Sequence, residues 1–135
     1  MSFEQINNED SKRPEGRNCI LVYGYNPEEL SVIKKFSLDR GIDECVVVTD
    51  DMLGNKIKDI IDNNIIPVKY KTGVKSKTIV FNALSNKEVH SFINLFKDTE
   101  LKKPIYAVAT PTSVKWQFGE LIKELIKERM SMSKH

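Results

Sequence analysis

Residues able to do chemistry are scarce in this chain. Its 135 residues include two cysteines, two histidines and one tryptophan. Cys19 and Cys45 stand far apart, each at the start of a β-branched apolar run, and both read as buried free thiols. No Cys-x-x-Cys and no Cys/His cluster is present, which excludes the ligand spacing of a zinc site. With only His90 and the terminal His135 available, no Ser/His/Asp or Cys/His constellation can be assembled. Neither a GxGxxG nor a Walker loop occurs, so a nucleotide site of those kinds is not indicated and no cofactor is implied. Charge of one sign is lacking too: 21 Lys and Arg against 19 Asp and Glu leave +2, without the global footprint of a nucleic-acid binder. No apolar run approaches the ~20 residues of a membrane span, and the first residues lack the apolar core of a signal peptide. A cytoplasmic protein without membrane contact is expected.

What is present is a regular alternation of apolar runs and amphipathic stretches. Met1 to Arg17 is polar and aperiodic, and reads as a disordered lead. Asn18 to Tyr23 is a short apolar run of the kind buried on both faces, stopped by Gly24. Asn26, Pro27 and Glu29 announce a helix by cap, first-turn proline and capping-box glutamate, with Leu30, Ile33 and Phe36 inward and Gly41 as its stop. Glu44 to Thr49 gives a second strand. Leu53, Ile57, Ile60 and Ile61 predict a second helix from an Asp50 cap to Asn63. Ile66 to Lys71 alternates in a way compatible with an edge strand or an irregular loop. Lys77 to Phe81 is the third strand, followed by a helix capped by Ser85 and Glu88 with Val89, Phe92, Ile93 and Phe96 inward. Ile105 to Ala109 is the fourth strand, its small Ala107 and Ala109 suited to close helix packing. A final helix from about Val114 carries Phe118, Leu121, Ile122 and Leu125 on one face, with Met130 to His135 as a tail.

The two halves repeat this pattern. ILVYGY then NPEELSVIKKF resembles TIVFNA then SNKEVHSFINLF, Glu29 matching Glu88, with Leu84 taken as an inserted residue. A duplicated βαβ unit predicts one α/β domain over residues 18–129, a four-stranded, mostly parallel sheet in order 2-1-3-4 with helices on both faces. The alternative is a ferredoxin-like split βαβ sandwich with one face open.

In a parallel sheet the residues after the strands share one edge, where ligands of open α/β sheets sit. That edge would gather Asn26, Asp50, Thr110, Thr112 and Ser113, although turn and cap formation already accounts for most of them. Lys115 and Trp116 ask for more. In a helix from Val114, Trp116 falls opposite the apolar stripe, since two residues turn a helix by about 200°. Lys115 would sit in the first turn, where free amides and the Thr112 and Ser113 hydroxyls can hold an anion. Asp50 and Asp51 resemble the acidic pair of a phospho-receiver, but they follow the second strand, and Asn82, no Asp, ends the third, which excludes that role. Lys69, Lys71, Lys75 and Lys77 with Tyr70 form a basic patch best read as a solvated edge, so a nucleic-acid partner is not expected.

At ATPTSVKWQFGELIKELIKE the chain resembles the bacterial family called domain of unknown function 3783, which has a Thr-Pro-Thr turn, a Trp a few residues on and a Leu-rich amphipathic helix. Upstream, Tyr23 to Leu30 is similar to that family's strand end and capped helix, so the resemblance spans roughly Asn18 to Glu128. Thr110, Pro111, Thr112 and Trp116 fit the motif, whereas Ser113 stands where an Asn is expected. The resemblance implies a small cytoplasmic bacterial protein and no particular activity. The expected function is a non-catalytic ligand-binding or regulatory module, using Thr110, Thr112, Ser113, Lys115, Trp116, Asn26 and Asp50 for a small anionic ligand or a protein partner. The alternatives are an enzyme with Asp50 or Asp51 as acid/base near Thr110, or an interaction module acting through the final helix.

Overall fold

In a computed structural model, residues 12–68 and 76–133 are described. Four strands are present among them: β1 (Cys19–Tyr23), β2 (Glu44–Val48), β3 (Thr78–Asn82) and β4 (Ile105–Val108). The helices are α1 (Pro27–Asp39), α2 (Ile57–Ile61), α3 (Asn86–Leu95) and α4 (Phe118–Ser133), with short 3-10 turns at Asp50–Met52, Phe96–Thr99 and Ser113–Lys115. The strand order is β2-β1-β3-β4, as expected. The directions differ from expectation. β1 pairs with β2 in parallel and β3 with β4 in parallel, but β1 and β3 run antiparallel, Leu21 opposite Val80. The sheet is therefore mixed, neither mostly parallel nor the ferredoxin-like alternative. Short apolar strands give no sign of direction, because a strand buried on both faces looks the same either way round.

Both faces of the sheet are covered. Cys19, Leu21, Tyr23 and Val80 point to a cluster that takes in Ile57 and Ile60 of α2 and Phe118, Leu121 and Ile122 of α4. Ile20, Val22, Ile79 and Phe81 point the other way, onto Ile33 and Phe36 of α1 and Phe92 of α3. Residues i and i+2 of a strand share a face, so five residues of β1, all buried, feed two cores. Ala107 and Ala109 pack against the α2/α4 cluster, where their small side chains admit the helix.

The local signals that held are the caps. Asn26 accepts from the Glu29 amide at 2.8 Å while Glu29 accepts from the Asn26 amide at 2.9 Å, and Ser85 and Glu88 repeat the arrangement. At the end of α1 the Ile42 and Gly41 amides donate to Ser37 and Leu38 at 3.0 Å each, with Gly41 at φ 79°, the left-handed stop its glycine suggests. The second helix is shorter than its pattern. It breaks into the 3-10 turn at Asp50 and the five-residue α2, because the Gly54 amide donates to Val68 and Asn55 brackets Ile66 on both its amide and carbonyl. Ile66 to Val68 is thereby pinned as a loop, and the rest of the suggested edge strand, Lys69 to Lys71, lies outside the described residues. Of the lead, residues 1–11 lie outside the described residues; beyond them Arg13 pairs with Glu88 at 2.7 Å and Arg17 grips Glu44 at 2.7 Å and the Ile61 carbonyl at 2.7 Å. Met130 to Ser133, read as a tail, continues α4.

The ends of β1 and β3 are built alike. Tyr23 and Asn82 end the equivalent strands, Gly24 and Ala83 follow with φ 95° and 56°, and Tyr25 and Leu84 turn into the same core. Leu84 and Tyr25 thus hold like places, each two residues past the end of its strand. Leu21 and Val80 face each other across the central pair. Lys56 and Gln117 form an isolated antiparallel bridge, with Ile57 N donating to Trp116 O and Phe118 N to Asn55 O at 2.9 Å each.

The turn after β1 is tight against the start of β3. A Cβ on Gly24 would lie 2.9 Å from the Lys77 Cα, at a φ that L side chains rarely adopt, whereas one on Gly41 would meet only the Arg13 guanidinium at 4.0 Å. Gly24→Ala is expected to cost about 2–3 kcal/mol and Gly41→Ala about 1 kcal/mol. Urea denaturation of both variants checks this; equal losses would show that the approach of Lys77 does not matter.

Candidate functional site

The antiparallel centre divides the edge that a parallel sheet would have made common. β1 and β2 end at Tyr23 and Val48, beside the starts of β3 and β4 at Thr78 and Ile105. Asn26 and Asp50 therefore leave the sheet at one edge and Thr110 leaves β4 at the other, next to Asn82. The seven residues picked from sequence fall into separate groups.

At the first edge each polar group is engaged locally. Asn26 is used on both sides by its capping box. Asp50 accepts from the buried Tyr23 hydroxyl at 2.7 Å. Burial pushes the Tyr23 phenol up from its ordinary value, and the hydrogen bond and charge of Asp50 push it further. Asp51 accepts from the Thr49 hydroxyl, and its carbonyl accepts from the Val68 amide at 2.8 Å.

At the second edge the Thr-Pro-Thr-Ser turn closes on itself. The Thr110 amide donates to the Ser113 hydroxyl at 2.9 Å, and the Ser113 amide donates to the Thr110 hydroxyl at 3.0 Å. Ser113 thus does with its hydroxyl what a side-chain amide would do there. Thr112 is exposed. The chain then makes one 3-10 turn and straightens: Trp116 is extended, with φ −84° and ψ 150°, and α4 begins only at Phe118. Trp116 is accordingly not in a helical first turn, and the off-stripe argument for it no longer applies. The extension is set by the bridge, which needs the Trp116 carbonyl against the Ile57 amide. The amides at the head of α4 are used as well: Gln117 donates to the Glu120 carboxylate at 3.2 Å, Phe118 to Asn55 and Gly119 to Leu53. An anion would find none of these three donors vacant.

What this end does offer is a surface. Trp116 keeps 37% of its area exposed and, with Glu120, Lys123 and Glu124 of α4, lines a shallow groove of about 380 Å³. Lys115 is exposed beside it. Glu120, Lys123 and Glu124 were not among the residues picked from sequence, although their spacing along one side of the helix was the available signal. Asn55, 7% exposed and the bracket that orders the 66–68 loop, had no signal in the sequence. Among the described residues no three His, Cys, Asp or Glu side chains gather where a metal could sit, and no helix is long and apolar enough to cross a membrane.

Residues 77–132, from the residue before β3 almost to the end of α4, match the family described as domain of unknown function 3783. The match is narrower than the resemblance, leaving out Asn18 to Ser76, and covers less than half of the chain. No curated protein and no solved structure matches.

Burial raises the Tyr25 and Tyr106 phenols as it raises Tyr23, Tyr106 to about 12. A phenol that ionises at higher pH in the folded state contributes stability below its unfolded value of about 10 and loses it as pH rises from there through the folded value. Urea midpoints are therefore expected to hold to about pH 9 and fall above 10. Tyr23→Phe should flatten that fall; an unchanged slope would mean that the Tyr23–Asp50 contact has no part in it.

Proposed function

We propose that the protein is a non-catalytic binding module whose partner is a basic segment of another protein, received on the Trp116 face of α4. The observation that carries this is the groove itself. A half-exposed indole beside the Glu120 and Glu124 carboxylates is suited to a Lys or Arg side chain, stacked on the ring and paired at its charged end. A cation desolvated against Trp contributes about 1–2 kcal/mol, and Trp is among the residues on which interfaces concentrate their energy. The shallow form of the groove suits a chain crossing it better than an enclosed small molecule. The small-anion version draws less support, since Thr110 and Ser113 satisfy each other and the amides of Gln117, Phe118 and Gly119 are taken. An acid/base role for Asp50 or Asp51 draws less still, with Tyr23 and Thr49 on the carboxylates and Thr110 at the far edge.

Two further readings go with this one. We infer that the halves descend from one βαβ unit, which is supported by the matched strand ends, the repeated capping boxes and the pairing of equivalent residues at Leu21/Val80 and Lys56/Gln117. We also infer a cytoplasmic setting, supported by the free Cys19 and Cys45, whose thiols burial pushes up to about 11.

Trp116 is the sole tryptophan, so its emission reports on the groove directly. Titration with a hexa-arginine peptide at low salt should give a saturable change in emission, weakened by salt and reduced at least about tenfold in Glu120→Lys/Glu124→Lys. Unchanged emission, or equal binding by the charge-reversed variant, would remove the proposal.

A further inference from the structure

A second concavity, on the opposite face of the sheet from α4, combines an apolar floor with unused cationic and polar groups. It lies where α3 ends, the chain turns through Phe96–Thr99 and β4 begins, and measures about 260 Å³. Phe96, Leu101 and the ring of Tyr106 make its apolar part, with Ile93, 37% exposed, at the rim. Behind them the Tyr106 ring stacks on Phe81 at 5.8 Å and meets Phe92 and Phe96 edge-on, so the floor is fixed from within.

The walls are held as well. The Thr99 hydroxyl donates to the Phe96 carbonyl at 2.7 Å and accepts from the Leu101 amide at 3.2 Å, and the Tyr25 hydroxyl donates to the Lys102 carbonyl at 2.7 Å. The loop that closes the cavity is thus tied at both ends, which favours a preformed site.

The charge in the polar lining is of one sign among the described residues. Asn94, Lys97, Lys103 and Tyr106 all border the cavity, and among the described residues none of the four side chains has a hydrogen bond or an ion pair. Among the described residues no carboxylate lines it. Two other concavities differ in this respect: Glu120 and Glu124 flank Lys123 beside Trp116, and Asp39 and Asp98 balance Lys35 and Arg40 between α1 and the 3-10 turn. Two ammonium groups with no counter-charge among the described lining residues, above an aromatic floor, form a receptor for an anion carried on an apolar body. The volume, a little under the ~300 Å³ where sites for drug-sized ligands begin, sets its size to a single ring or a short branched chain.

We propose that this cavity binds a small aromatic or branched-chain carboxylate, its apolar body on Phe96 and Tyr106 and its carboxylate between Lys97 and Lys103. The site is separate from the Trp116 groove and does not depend on the partner proposed there. The ammonium groups supply charge-assisted hydrogen bonds, and Asn94 adds a neutral donor that helps to orient the carboxylate.

Amide NMR shifts on titration of the full chain with benzoate test this. Saturable shifts are expected in the stretches 93–97 and 101–106, with a Kd in the range of about 0.1–1 mM. Lys97→Gln/Lys103→Gln should weaken benzoate at least about tenfold while leaving the remaining amide spectrum, and so the fold, in place. Benzyl alcohol, which keeps the ring and lacks the charge, should bind at least about tenfold more weakly than benzoate. The proposal is overturned by no saturable shift up to about 10 mM, by shifts confined to the α4 face, or by equal binding of benzoate to the double variant or of benzyl alcohol to the wild type.

Discussion

The structure depends on one pairing, β1 against β3 in antiparallel register about Leu21 and Val80. Each of these strands is already committed to a parallel neighbour of its own half, so the central pair is the seam between two βαβ units. From its direction follow the division of the strand ends into two edges, the placing of α1 and α3 on one face and α2 and α4 on the other, and the meeting of Lys56 with Gln117. Had the seam been parallel, Asp50 and Thr110 would share an edge and a strand-end ligand site would be conceivable. Because it is antiparallel, each edge carries half of such a set, and each half is spent on turns and caps.

Much of the fold was legible in the sequence, where the signal is local. The capping boxes at Asn26 and Ser85 depend on residues three apart, and the Gly41 stop on one left-handed residue, so no distant contact can obscure them. The order of the strands followed from treating the halves as equivalents. Strand direction did not follow, because CILVY and TIVFN are apolar on both faces and carry no polarity along their length. The broken second helix was also illegible. The spacing of Leu53, Ile57 and Ile60 is helical, but Asn55 and Gly54 bond to a loop more than ten residues away, and that competition wins over propensity.

The candidate site was legible only as a composition. Trp116 was singled out, and it does border a groove, but for a different reason from the one its position in a helix would have given. Its carbonyl is needed by α2, so the residue is drawn straight and the helix starts two residues later. Lys97, Lys103 and Tyr106 drew no notice because they fall on three different elements, and only the turn through Phe96–Thr99 makes them neighbours.

The seam also bears on what a family boundary means here. The stretch matched to a known family holds β3, α3, β4 and α4, and omits β1, the strand that covers the inner edge of β3. Expressed without the first half, that stretch would present a bare strand and the apolar surfaces that α1 and α2 normally cover. The first half is thus more than an extension of the matched stretch: it closes the hydrogen-bonding edge of β3 and completes both cores.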